Sequence, residues 1–193
     1  MKFFWRVVRC LCLLSLLLNA ACVTQSPRIS GASEAHDASQ LSNWTASGRL
    51  GVSGTVQSGS GGFTWIQQAA FSSVQVRGPV GVGSLQIDME GAQLRMQSSD
   101  GAQYDAEQVL AELEERLGVA LPMMQLRYWL LGLPAPGRHQ WTEGSESVLQ
   151  QDGWRIVYGE WLQRASLRLP ARLTLTRDQL RLVIVVQQWR LAS

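Results

Sequence analysis

The sequence predicts an α+β fold: a curved antiparallel sheet of about nine to eleven strands wrapped around a short helical insert. Three observations predict it. Apolar and polar residues alternate over several short stretches after Trp44, the period lengthens to that of an amphipathic helix between Asp105 and Leu131, and the two-residue period returns from Val148 to Trp189.

The chain begins with a different kind of segment. Met1–Ala21 places Lys2, Arg6 and Arg9 ahead of the apolar run Leu11–Leu18 and ends on small residues, the layout of a secretory signal that is removed. Its loss takes the 17 basic residues to 14, against 15 acidic ones, so the mature chain is near neutral. A near-neutral surface lacks the clustered basic footprint that displaces counterions from nucleic acid, which excludes DNA and RNA as partners. With 46% hydrophobic and 17% charged residues in 193, the chain holds one core of ordinary size and hence one domain.

Of three cysteines, Cys10 and Cys12 fall in the signal and Cys22 follows it directly, after Leu18-Asn19-Ala20-Ala21. One cysteine forms no internal disulfide, and a free thiol in an oxidising compartment is the bland alternative. Its position resembles the bacterial lipobox, with the leucine one residue earlier than in the usual motif. That resemblance implies acylation of Cys22 as the new N-terminus. Val23 stands where an aspartate is associated with inner-membrane retention, which implies export to the outer membrane. From 22 to 43 the chain is rich in Ser, Ala and Gln without an apolar period and reads as a lipid-anchored flexible linker, leaving 44–193 as the folded domain.

Ala46–Ser53 and Gly62–Gln68 read as a strand pair joined by the Gly- and Ser-rich stretch Gly54–Gly61, and Val74–Arg77, Leu85–Met89 and Leu94–Gln97 as half-buried strands. Asp105 begins a helix as N-cap, with Gln108 returning the bond of a capping box. Val109, Leu110, Leu113 and Leu117 follow on one face, Arg116 lies in the last turn, and Gly118 ends it. Pro122 opens a second helix of about ten residues carrying Met123, Leu126, Trp129 and Leu130, stopped by Gly132 and Pro134. Val148–Gln151 and Trp154–Trp161 form a hairpin on Asp152-Gly153, and Arg172–Thr176 and Leu180–Trp189 complete the set. In the last, Leu180, Leu182, Ile184 and Val186 make one apolar face and Val183 and Val185 the other, which predicts a strand covered on both sides.

Reactive chemistry is thin. His36 lies in the linker and His139 in a Pro/Gly-rich loop, and with Cys22 alone beside them a transition-metal site is not expected. The Gly-Xaa-Ser-Xaa-Gly elbow of serine hydrolases is absent. Gly81-Val82-Gly83-Ser84 lacks the third glycine of a dinucleotide fingerprint and leads into a strand. Glu114 and Glu115 are consecutive on a helix and point apart.

One series of motifs spans nearly the whole mature domain: Gly48-Arg49-Leu50, Phe63–Gln68, Gly78-Pro79-Val80-Gly81, Leu121-Pro122, Leu126–Pro134, Gly153–Gly159, Leu169-Pro170 and Trp189. In this order it resembles the LolB family of outer-membrane lipoprotein receptors. The resemblance implies an incomplete, half-open antiparallel β-barrel with a short helical plug, whose apolar cavity accepts lipoproteins from the periplasmic carrier LolA and releases them to the membrane without catalysis. It implies a monomer with no cofactor beyond the N-acyl and diacylglyceryl lipid on Cys22, and acyl chains and outer-membrane phospholipid as its other partners. The loop Gly78, Pro79, Val80 and Gly81 matches the family's membrane-insertion loop, with Val80 in the place of the usual leucine.

Acyl-chain cavity candidates are Trp65, Leu85, Ile87, Trp129, Trp154, Ile184 and Trp189, since apolar and aromatic side chains offer contact area without a charged partner. The bland alternative for each tryptophan is core. Two rivals to transfer stand beside it: a non-transporting outer-membrane tether or assembly subunit, which predicts a filled interior, and a lipid-modifying hydrolase, which would need His139.

Overall fold

The computed structural model describes residues 38–54, 58–78, 83–91, 93–164 and 166–192. The signal, Cys22, His36, the linker up to residue 37 and the loop residues Pro79, Val80 and Gly81 lie outside them, as do the side chains of Val109, Leu113 and Arg116.

Eleven strands form one sheet: β1 (Asn43–Ser53), β2 (Gly59–Gln68), β3 (Phe71–Arg77), β4 (Ser84–Glu90), β5 (Gln93–Ser98), β6 (Gln103–Tyr104), β7 (His139–Thr142), β8 (Ser147–Gln151), β9 (Trp154–Arg164), β10 (Leu167–Arg177) and β11 (Leu180–Leu191). Between β6 and β7 run two helices, α1 (Ala106–Leu117) and α2 (Met123–Leu130). The sheet order is β6-β5-β4-β3-β2-β1-β11-β10-β9-β8-β7. Every neighbouring pair is antiparallel. The first and last strands therefore meet in the middle, each half of the chain is a meander running outward from them, and the helical segment connects the two free edges. This is an α+β, half-open antiparallel arrangement with a helical plug.

The inner face is built by rows of directly opposed residues. Ala46, Trp65, Val74, Ile87 and Met96 make one row across β1 to β5, and Phe63, Val76 and Leu85 lie in the next. Leu50 faces Ile184 and Val52 faces Leu182 across the β1–β11 seam. Opposed apolar residues on one face are what hold such a register, because a one-residue slip would turn the whole set to water.

The helices end where the sequence places their caps. Asp105 accepts from Gln108 N at 3.1 Å while Gln108 accepts from Asp105 N at 3.0 Å. Gly118, at φ 74°, closes α1 with its N–H on Glu114 O at 2.7 Å. Pro122 stands one residue ahead of α2, at the N-cap, and α2 has eight residues, not about ten. The hairpin turn Asp152-Gly153 has φ of 50° and 79°, the left-handed pair of a type I′ turn.

Four details differ from the sequence expectation. β6 and β7, of two and four residues, have no alternating run of their own and exist because β5 and β8 offer them an edge. Consequently His139 is an exposed strand residue at the sheet's edge instead of a loop residue. β10 starts at Leu167, well before Arg172, because Pro170 sits at a bulge where its missing N–H drops out of the ladder. Val183 and Val185 are only half-buried, so β11 buries one face fully and the other in part.

Gly48 pairs with Val186 where β11 bulges at Gln187, and a Cβ at Gly48 would stand 2.0 Å from Val185 O. At Gly51, on the same strand, nothing lies within 4 Å of that position. Gly48→Ala should therefore lower the unfolding free energy by about 1–3 kcal/mol, while Gly51→Ala should stay within about 0.5 kcal/mol of the parent. Urea denaturation of the pair measures the difference.

Candidate functional site

A cavity of about 170 Å³ lies inside the half of the sheet that holds β1 to β4 and β11. Its wall is made by Leu50 and Val52 of β1, Phe63 and Trp65 of β2, Val74 and Val76 of β3, Leu85 and Ile87 of β4, and Leu180, Leu182 and Ile184 of β11. Leu117 at the end of α1, Leu121 in the connection, and Met123, Leu126 and Leu130 of α2 close it from the other side. No charged, hydroxyl or amide side chain is among them, so the cavity offers a ligand contact area and no obligatory polar partner. An apolar void of about this size stays dry and takes up a molecule as large as benzene.

Val76 and Leu85 stand on either side of the 78–83 connection, whose base is tied by Gly78 N donating to Gly83 O at 3.1 Å. The cavity wall thus reaches the strands that carry the two ends of that connection.

Of the seven residues singled out as cavity candidates, Trp65, Leu85, Ile87 and Ile184 come together here. Trp129, Trp154 and Trp189 lie elsewhere, because each finds a partner in the opposite half. Trp129, fully buried, packs against Trp154 at 6.2 Å and donates its indole N–H to Gln151 Oε1 at 2.9 Å. Trp189 donates to Pro170 O at 3.0 Å, capping the carbonyl beside the β10 bulge, and meets Trp44 edge-on at 5.4 Å. The signal for the residues that were missed was the inward parity of each strand: Leu50 and Val52, or Leu180 and Leu182, share a face with the tryptophan rows but are less conspicuous by size.

The half of the domain built by β8 to β10 is a clamp on the plug. Gln151, buried, takes two donors on Oε1, from Trp129 and from Ala135 N at 2.9 Å, and its Nε2 donates to Ala135 O at 2.8 Å. Tyr158 Oη donates to Trp129 O at 3.1 Å, and burial pushes the phenol up from its ordinary pKa, so it stays a neutral donor. Gly132, at φ 78°, lets the chain leave α2 against the Trp161 ring, where a Cβ would stand 2.8 Å from ring carbons. The C-terminal end of α2 is therefore held by directional bonds, while its Leu126 and Leu130 face the hollow. His139 is exposed, with Nδ1 at 3.2 Å from Gly137 O, and lies outside the cavity wall.

A family model described as "Outer membrane lipoprotein LolB" matches residues 42–189. The chain is similar to the "Outer-membrane lipoprotein LolB" of Pseudomonas aeruginosa (strain UCBPP-PA14), with 30% identity over 188 residues and 92% of each chain covered. It is similar as well to that of Ectopseudomonas mendocina (strain ymp), with 31% identity over 156 residues, 79% of this chain and 76% of the relative. Among solved structures, a LolA superfamily protein from Nitrosomonas europaea aligns with a TM-score of 0.53 at 10% identity, covering 84% of this chain and 93% of that one. A DUF1329 family protein from Desulfovibrio piger ATCC 29098 aligns at 0.52 with 7% identity, covering 83% and 90%. At such identities the likeness is one of fold.

Gln151→Leu should remove three buried bonds at once and leave Trp129 Nε1 and both backbone groups of Ala135 without partners. Each buried group so orphaned costs about 1–3 kcal/mol, so the loss should exceed about 2 kcal/mol, read as a lower urea midpoint with the slope unchanged.

Proposed function

Because the chain belongs to the LolB family of outer-membrane lipoproteins, we propose that its cavity is the place where the acyl chains of other lipoproteins rest between the carrier LolA and the membrane. The domain works at the outer membrane in lipoprotein localisation. The observation that carries the cavity assignment is the composition of its wall, in which sixteen side chains from five strands and the plug are all apolar.

The physical problem such a site solves is partition. One acyl chain of about 16 carbons exposed to water costs on the order of 13 kcal/mol, so passage through the aqueous periplasm without a host is negligibly slow. A host that gripped the chain as well as the bilayer does would not release it. A wall that contributes contact area and no hydrogen bonds holds its guest by the same interaction the bilayer offers, and over less area, so transfer runs downhill into the membrane without any covalent step. At about 170 Å³ the cavity houses one short segment of chain. Longer chains enter as Leu117, Leu121 and Met123 yield on the plug side, where side-chain packing replaces directional bonds.

Two further parts of this reading come from the family resemblance. Cys22 carries the lipid that anchors the domain, and more than one buried chain makes such anchoring stable. Val80 is the apolar tip that enters the bilayer, and its loop begins and ends on strands that line the cavity, so cargo leaving by that side meets the membrane at once.

Leu85 is half-buried on the cavity wall beside the loop, which makes it a site where a charge can be introduced with the fold retained. Leu85→Asp should weaken uptake of a fluorescent fatty acid by at least about tenfold, since the carboxylate must be desolvated or the guest displaced. Uptake equal to the parent would remove the cavity from the pathway. Val80→Glu should leave acceptance of lipoprotein from acyl-loaded LolA intact and block its incorporation into liposomes, because a charge at a membrane-entering tip is costly. The decisive measurement for the whole proposal is whether a lipoprotein changes hands when loaded LolA is mixed with this protein.

A further inference from the structure

A second concavity, of about 640 Å³, lies at the end of the sheet opposite the 78–83 connection, and we propose that it binds the phosphate head and first methylenes of an anionic phospholipid. It is separate from the acyl cavity. Trp44 lines the groove and Trp65 lines the cavity, and the two rings pack at 6.0 Å as the partition between them. Likewise α2 turns Leu126 and Leu130 toward the cavity and Arg127, Tyr128 and the following Leu131 toward the groove.

The groove combines apolar wall with one uncompensated cation. Leu131 and Leu133 supply alkyl surface next to the Trp44 ring. Arg127 is held in place from one side only: its Nη2 donates to Tyr128 Oη at 2.7 Å and its guanidinium carbon sits 4.6 Å from the Tyr128 ring centre. Its Nε is buried and has no acceptor. Among the described residues no carboxylate lies within ion-pair distance of it. A planar guanidinium whose terminal nitrogens carry only the bond to Tyr128, set beside hydrocarbon, is matched by an amphipathic anion whose phosphate oxygens accept from those terminal nitrogens while its methylenes lie on the leucines. A phosphodiester carries the single negative charge that one arginine balances.

The membrane supplies that chemistry. Ser39, Leu41 and Ser42 form part of the groove wall, and Ser39 follows Cys22 by 17 residues in the sequence. On the reading that Cys22 is lipidated, phospholipid is the amphiphilic anion always within reach. A fatty-acid carboxylate has the same pairing chemistry and is the occupant the experiment must separate from it.

The full lipid-anchored protein is reconstituted in phosphatidylcholine nanodiscs containing a trace of photoreactive phosphatidylglycerol, photoreactive phosphatidylcholine or photoreactive palmitate, and crosslinked residues are mapped by mass spectrometry. Phosphatidylglycerol should label the segment 128–133 roughly tenfold more than phosphatidylcholine does, as a charge-assisted pair implies. Arg127→Gln should erase that preference and Arg127→Lys should retain most of it. His139 is exposed on the groove rim, so His139→Glu places a negative charge there with the core untouched, and it should suppress labelling even if Arg127→Gln proves unstable. Equal labelling by the two phospholipids, labelling confined to the acyl cavity, or palmitate outcompeting phosphatidylglycerol would each overturn the proposal. Lipoprotein transfer from LolA, assayed on the His139→Glu protein, should stay at the parental level, so failure of the groove and failure of the transfer reading are seen separately.

Discussion

The antiparallel pairing of β1 with β11 sets the terms for everything else in this domain. By bringing the first and last strands together it makes them the centre of the sheet, sends β6 and β7 to opposite edges, and leaves the chain between those edges to be spanned. The spanning segment is the pair of helices. Had the outer strands paired with each other, the sheet would have closed into a barrel without free edges. Because they do not, the inner face is sealed by α1, α2 and their connection, and the seal is made of side chains.

The two halves of the interior are held by different interactions, and the division suits a host for alkyl chains. On the β8–β10 side, the end of α2 is fastened by Gln151, Tyr158 and the backbone around Ala135, where each bond has a fixed direction and leaving it unmade is expensive. On the β1–β4 side the contacts are dispersion and apolar burial, which have no preferred direction and can be remade with a guest in place of a neighbour. A plug fixed at one end and merely packed at the other keeps its place when empty and can give way when filled. Trp129 and Trp189 brace the structure through indole bonds and Trp154 through its packing on Trp129, whereas Trp65 stands on the cavity wall.

Gly48, Gly132 and Pro170 have equally local reasons. Gly48 leaves room for the bulged β11 backbone, Gly132 for the Trp161 ring, and Pro170 sits where the ladder has no bond to lose. These are positions where the fold needs a backbone to come close or a donor to be missing. They account for much of the motif series by which the family is recognised without assigning it to ligand contact.

The sequence by itself determined the strand and helix identities that rest on period and caps. Alternation in 74–77, 85–89 and 180–189, the Asp105 capping box, Gly118 and the Asp152-Gly153 turn are all instructions carried by neighbours in the chain, and each appears in the structure. Tertiary structure alone decided which of the aromatic residues face the hollow, because that depends on what lies across the interior from each one. Trp65 meets the helical plug across open space, whereas Trp129, Trp154 and Trp189 meet Gln151, one another or Pro170. It decided as well the short edge strands β6 and β7, which only an existing sheet edge could order. Local pattern specifies the pieces because it acts through bonds between residues a few positions apart. A cavity is a space left between surfaces brought together from both ends of the chain, and no local interaction can encode its walls.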